Sequence, residues 1–363
     1  MKIKDLCSYA PKSRIKAGEA VDNAKYLFFT SSADENKRYT DFQFDKEAII
    51  MGTGGNATLH YHNGKFSVST DCLVLLPDPQ IKCKYLYYFF KSHMNVLEAG
   101  FKGAGLKHTN KKYIEDIEIN KVPDLITQDR IISRLDKISE NIEKLNRELG
   151  LFDSLVKARF VEMFGDPLIN TKKWKECTIG ELATDVRYGT SKPSVDGGKY
   201  PYLRMNNLTN NGELDLTDLK YIDVSDDEKE KCVVRKGDIL FNRTNSIDLV
   251  GKTTLFNLDE EMIIAGYIIR VRLNSQILPE ILAQYMNSSA LKKLLRKMAK
   301  GAVNQANINA QELQSIKVYV PDLELQNRFS NFVQQVDKSK LAVQKSLEKT
   351  QQLFDSLMQE YFG

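Results

Sequence analysis

The sequence has little of the chemistry that marks a catalyst. Its 363 residues hold four histidines (His60, His62, His93, His108), all in the first 110 positions. The five cysteines (Cys7, Cys72, Cys83, Cys177, Cys232) form no CxxC pair. That spacing fits reduced thiols better than a disulfide frame or a zinc site. No apolar run approaches the ~20 residues of a membrane-spanning helix. The opening MKIKDLCSYAPKSRIK lacks an apolar signal core, so a cytoplasmic chain with no membrane association is expected. A large excess of one charge is also missing. Lys and Arg number 52 against 48 Asp and Glu, a net +4 that by itself points to no polyanionic partner.

Several motif-like stretches fail on inspection. Val250-Gly251-Lys252-Thr253-Thr254 resembles the end of a phosphate-binding loop, but Ser246 stands where that loop needs glycine. Met51-Gly52-Thr53-Gly54-Gly55-Asn56 has no GxGxxG spacing. His60 and His62 share one face of a candidate strand, yet no cysteine or carboxylate cluster lies nearby to complete a metal site. GxSxG, HExxH, a cofactor-binding glycine motif and an Asn-Pro-Pro-aromatic tetrapeptide are all absent. The expectation is a non-catalytic chain holding neither metal nor cofactor.

What is present is a duplication. VPDLITQDR (122–130) and VPDLELQNR (320–328) match at six of nine positions at an offset of 198, which also carries Glu162-Met163-Phe164-Gly165 onto Glu360-Tyr361-Phe362-Gly363. The pentapeptide LFDSL occurs at 151–155 and 353–357, an offset of 202, four residues out of that register. Ile131, Leu135, Ile138, Ile142, Leu145, Leu149, Phe152 and Val156 recur at steps of four and three. At offset 198 the second series is Phe329, Val333, Val336, Lys340, Val343, Leu347, Thr350 and Phe354. Each series predicts a helix of roughly 38 residues, about 57 Å long, whose seam needs a partner. The other copy is the economical one. Leu135, Ile138, Ile142, Leu145, Val336, Val343, Leu347 and Phe354 are therefore the expected partner-binding positions.

Before each helix stands a stretch of strand and loop signals with one late apolar helix, at 85–97 and 281–295, which suggests an α+β lobe. The order is lobe (1–122), helix (123–165), lobe (166–320), helix (321–363). Polar, hydrogen-bonding loops fall at equivalent places in both lobes. Loops of this kind on a rigid scaffold are what DNA reading requires, Arg and Lys suiting guanine edges and Asn and Gln suiting adenine. In the first lobe the candidates are Ser31, Ser32, Lys37 and Arg38, then Thr53, Asn56 and His60, then Lys102, Lys107, His108 and Asn110. In the second they are Tyr188 and Lys192, then Arg204, Asn206 and Asn207. Arg243, Thr244, Asn245, Ser246 and Lys252 follow, and finally Asn304, Gln305 and Asn307.

The whole chain resembles the specificity (S) subunits of type I restriction–modification enzymes. The elements that carry the likeness are VPDLITQDRI and VPDLELQNRF at the helix entries, and KGDILFNRTN and NNLTNNGEL in the second lobe. The first lobe is shorter and lacks the KGDIL wording. The resemblance implies two target-recognition domains alternating with two long antiparallel coiled-coil helices. It further implies a bipartite double-stranded DNA target, docking of two methyltransferase (M) subunits on the helices, and restriction (R) subunits. S-adenosylmethionine would belong to the M subunit, ATP and Mg2+ to the R subunit. A rod of about 57 Å exceeds the ~34 Å helical turn of DNA, so an unread gap between two half-sites is expected. The competing readings are a coiled-coil scaffold whose lobes bind proteins, and a specificity module of another restriction-enzyme type.

Overall fold

The computed structural model describes residues 1–302 and 305–363. The chain divides into two compact units, Met1–Arg147 with Gln344–Gly363, and Glu148–Val343. The division passes through both long helices, so each unit holds one lobe and a stretch of each helix.

The first unit is built on a six-stranded sheet, in spatial order Cys7–Tyr9, Cys72–Pro77, Phe44–Gly52, Leu59–Val68, Tyr26–Phe29 and Arg38–Tyr39. Pairing is antiparallel except where Tyr26–Phe29 runs parallel to Leu59–Val68. Alternation along the central strand explains its two-sided burial. Ile49 and Met51 face the aromatic helix Cys83–Ser92, while Ala48 and Ile50 face Phe29, Phe66 and Val74. The second unit carries two four-stranded sheets. One runs Thr253–Leu255, Ile239–Asn242, Ile268–Leu273, Ala183–Tyr188, and the other Lys220–Ile222, Tyr200–Leu203, Met262–Ile264, Val233–Val234. Ile239, Phe241, Ile269 and Val271 pack on the helix Pro279–Asn287. On the opposite side, Leu240 and Ile268 meet Leu203, Ile264 and Phe256.

The long helices span Leu125–Phe164 and Leu323–Phe362, so the 198 offset holds at both ends of each. Within the first unit Leu135 packs in one cluster with Phe354, Leu357, Met358 and Phe362, and Arg134 donates to the Tyr361 hydroxyl at 2.9 Å. Within the second, the Phe329 ring lies 5.5 Å from Phe160 and 5.4 Å from Phe164. There Lys340, a seam position, donates to Asp153 of the other helix at 2.8 Å. In both units the early part of one helix meets the late part of the other, which is antiparallel pairing. Ile138, Ile142, Leu145, Val343 and Leu347 are half-buried, as a two-helix seam leaves them.

Each helix entry is fixed by a buried glutamine. Gln128 and Gln326 are both 0% exposed. Gln128 accepts from the Lys82 amide at 2.7 Å and donates to the Gln80 and Pro123 carbonyls. Gln326 accepts from the Leu278 amide at 2.7 Å and donates to the Gln276 and Pro321 carbonyls. Lys82 and Leu278 are the N-caps of the helices Cys83–Ser92 and Pro279–Asn287. One side chain therefore satisfies a helix-end amide and ties the lobe to the long helix.

The late helix expected in each lobe is in fact two. His93 separates Cys83–Ser92 from Met94–Ala99. Ser288 separates Pro279–Asn287 from Ser289–Met298; its extended backbone (φ −63°, ψ 146°) ends one helix, and its hydroxyl caps the next at the Leu291 amide.

Candidate nucleic-acid interface

In the second unit the strand Thr244–Asn245 pairs with Gln305–Asn307, which pairs with Lys300–Ala302. This small ribbon brings loops distant in sequence onto Arg243. The guanidinium lies 4.9 Å from the centre of the Tyr188 ring. Its Nε donates to Asn307 Oδ1 and its Nη1 to the Gly266 carbonyl, both at 3.3 Å. Thr244 Oγ1 donates to the same Asn307 oxygen at 3.2 Å, and the Tyr188 hydroxyl accepts from the Ala310 amide at 2.8 Å. The next residue, Gly189, lies directly against the backbone of 264–265: a Cβ there would stand 2.1 Å from the Ile264 carbonyl oxygen. Tyr267, 52% exposed, belongs to the same strip; its carbonyl accepts from the Arg243 amide.

Arg243 stands out by its neighbours. Of the seven arginines in 166–320, six lie within 4.0 Å of a carboxylate among the described residues, and Arg243 does not. Neutral groups hold the guanidinium in place, so its charge and outer N–H groups remain available to an acceptor.

The first unit repeats the construction with other side chains. Gly54 and Lys102 both bridge to His108, the Gly55 amide donates to the Lys107 carbonyl, and the Thr109 amide to the Thr53 carbonyl. The Ser31 hydroxyl donates to the Asp71 carbonyl at 2.7 Å and accepts from the Thr53 amide at 3.1 Å. Lys102, Lys107, His108 and Asn56 are exposed on this surface. Leu106 projects beside them, 79% exposed.

Several expected contact residues do other work. His60 is only 5% exposed, packs against the Phe29 ring at 5.2 Å, and places Nδ1 3.1 Å from Glu35; it does not face solvent as a DNA contact must. Asn207, 2% exposed, braces its own loop through the Arg204 amide and the Asp215 carbonyl. Asn110 caps the short helix Lys111–Glu115 by accepting from the Tyr113 amide, as Asn309 caps Ala310–Gln314. Thr53 and Ser31 spend their hydroxyls on Asp71, and Ser32 accepts from the Asp34 amide. Lys37 donates to Thr30, and Arg38 to carbonyls of its own hairpin. Lys192 pairs with Glu228 and Arg204 with Asp218. Asn245 turns its amide onto Asn242 and the Ser246 backbone. Asn206 and Gln305 are exposed, Lys252 is half-buried, and Asn304 lies outside the described residues.

Several of the expected partner-binding positions are covered within the chain, as a seam against the other copy requires. Leu135, Val336 and Phe354 are 0%, 6% and 6% exposed, so they are used up within the chain and cannot receive another protein. The apolar residues that the helices leave in solvent are others, Leu151 (62%), Leu155 (48%), Leu341 (53%) and Leu353 (50%) among them. Among the described residues no cluster of three metal-ligating side chains exists, and no helix is long and apolar enough to cross a membrane.

Comparison with known proteins gives a consistent set of relatives. A family model for the type I restriction modification DNA specificity domain matches residues 1–150 and 171–353. The specificity subunit of the type I restriction enzyme EcoKI from Escherichia coli is 22% identical over 98% of this chain and 77% of its own length. The MjaVIII specificity subunit from Methanocaldococcus jannaschii is 26% identical over 85% of this chain and 78% of its own. Among solved structures, an S subunit of a type I system from M. genitalium superposes with a TM-score of 0.62 at 18% identity, covering 100% of this chain and 95% of that one. A second, from work on assembly and conformational transition of a type I system, gives 0.53 at 18% identity, with 100% and 96% covered.

Proposed function

The chain belongs to the type I restriction–modification DNA specificity family, and from that premise we propose that the two loop surfaces described above each read one half of a bipartite double-stranded target. The observation that carries this reading is the paired construction. One strand-and-hairpin frame recurs in both units, but presents Tyr188, Arg243 and Asn307 in one and Lys102, Lys107 and His108 in the other. A shared frame with different side chains suits two different half-sites on one kind of duplex.

The antiparallel helices are the spacer and the docking surface for M subunits, two by the symmetry of the repeat, with R subunits joining that assembly. The chain itself is non-catalytic and acts in the cytoplasm. S-adenosylmethionine is bound by the M subunit, ATP and Mg2+ by the R subunit. Single-molecule methylome sequencing with and without this gene tests the reading, and a bipartite motif should disappear with the gene. Replacing residues 1–122 with another lobe should change one half of that motif only. Inserting one heptad in each long helix should lengthen the gap. An unchanged motif in either variant would refute the assignment.

A further inference from the structure

The helix Ser289–Met298 carries Lys292, Lys293, Arg296 and Lys297 and no acidic residue. Its apolar side buries Leu291 and Leu295 completely. That seats the helix directly on the turn before Thr253–Leu255: Gly251 has φ +79°, and a Cβ there would lie 2.7 Å from Leu295 Cδ1. Lys292, half-buried, donates from Nζ to the Gly251 carbonyl at 2.5 Å. The next residue is Lys252, also half-buried. Arg296 stands one helical turn beyond Lys292, and its carboxylate neighbour is the exposed Asp248 at 3.7 Å. Among the described residues no carboxylate lies within 4.0 Å of Lys252 or Lys292.

Three cations thus gather with one exposed carboxylate, Asp248, beside them. Burial, then Lys252 and Arg296, pull the Lys292 ammonium down to about 8, and burial lowers Lys252 as well. Such an arrangement is unfavourable in the free protein and relieved by an anion. It is particular to the second lobe, since the corresponding helix Met94–Ala99 has neither lysine nor arginine. The seat also adjoins the Arg243 strip. Asn242, the residue before Arg243, donates its amide to the Lys252 carbonyl at 2.8 Å.

We propose that Lys252, Lys292 and Arg296 form a seat for one phosphodiester group of DNA, a sequence-independent anchor beside the base-contacting strip of the second lobe. The inference rests on the DNA-reading function above. Its chemistry is charge-assisted hydrogen bonding to non-bridging phosphate oxygens, which carries no base information.

The test uses the full chain assembled with its methyltransferase partner. The probes are a duplex carrying the wild-type methylome motif and a scrambled duplex, with Kd measured against salt concentration. Lys292→Met should raise the Tm of the free chain yet weaken both duplexes by the same factor, roughly threefold to tenfold. It should lower the log–log salt slope by ~0.9 and leave the methylated motif unchanged. Lys292→Arg should keep the wild-type slope. A purely structural lysine would move the Tm without the slope, and that result overturns the proposal. So does a loss confined to the motif duplex, which would indicate base contact. A thermal-shift arm with inorganic phosphate at fixed ionic strength separates the sources. Phosphate stabilisation lost in Lys292→Met with the DNA slope intact would mean a free-anion site and also overturns it. Failure of the wild-type complex to bind either duplex in a salt-dependent way would instead refute the DNA reading itself.

Discussion

Gln326→Ala is the sharpest perturbation of the join between the second lobe and its long helix. The substitution removes an acceptor from the Leu278 amide at 2.7 Å, and donors from the Gln276 and Pro321 carbonyls at 3.0 and 2.7 Å. All three groups lose their partner at a side chain with no solvent access. At about 1 kcal/mol of net stability per intramolecular hydrogen bond, the loss is about 3 kcal/mol. For a cooperative unit of roughly 200 residues that corresponds to a fall in Tm of about 6–12 °C. Differential scanning calorimetry and urea unfolding of the full chain measure it. Gln334→Ala, exposed on the same helix, is the control and should stay within about 0.5 kcal/mol of wild type. Gln326→Glu should lose a similar amount at neutral pH, because a carboxylate would face the two carbonyl oxygens. It should recover partly as acid returns a proton and with it one donor. A loss below about 1 kcal/mol for Gln326→Ala would refute the idea that this side chain joins lobe to helix.

Three further outcomes follow from other places in the fold. Arg243→Ala removes a guanidinium held by Tyr188, Asn307 and the Gly266 carbonyl, with no carboxylate within 4.0 Å among the described residues. Methylome sequencing should show the half-site of the second lobe relaxed at one position, by about 1–3 kcal/mol in binding, with the other half-site unchanged. Asp185→Asn leaves Arg270, 1% exposed, without its carboxylate, and should cost about 3 kcal/mol at pH 7. Burial pushes the Asp185 carboxyl up, but the bonds from Arg270 and Arg187 outweigh it and hold the group below its ordinary value. Its contribution is therefore present above the usual carboxylate range and lost as pH falls through the lower folded value, so unfolding curves of wild type and variant should converge only under strong acid. Leu151→Arg with Leu155→Arg alters two exposed side chains. Stability should hold within about 0.5 kcal/mol per site, while co-purification of the M subunit should fall sharply.

The long helices were legible in the sequence because a heptad seam is a one-dimensional signal. Their ends obey the 198 offset, and Phe152 and Phe354 lie where that register put them, the first half-buried and the second buried. The binding surface was legible only as loops. Asn110, Asn207 and Asn307 are the same residue type in similar polar runs. One caps a helix, one is buried as a loop brace, and one orients Arg243. Lys292 and Arg296 gave no signal, because a lysine on an amphipathic helix normally points to water. His60 misled in the opposite direction, its polar neighbours concealing that its strand turns it onto Phe29.

By itself the sequence determined the duplication, the order of lobes and helices, and the polar segments that flank them. These follow from spacing along the chain and need no knowledge of what lies across the fold. Only the tertiary structure decided which side chain of each polar segment is spent internally and which is left with an unsatisfied charge. Burial and pairing are properties of contacts between distant residues: Arg243 with Tyr188 and Asn307, Lys292 with the Gly251 carbonyl, Gln326 with the Leu278 amide.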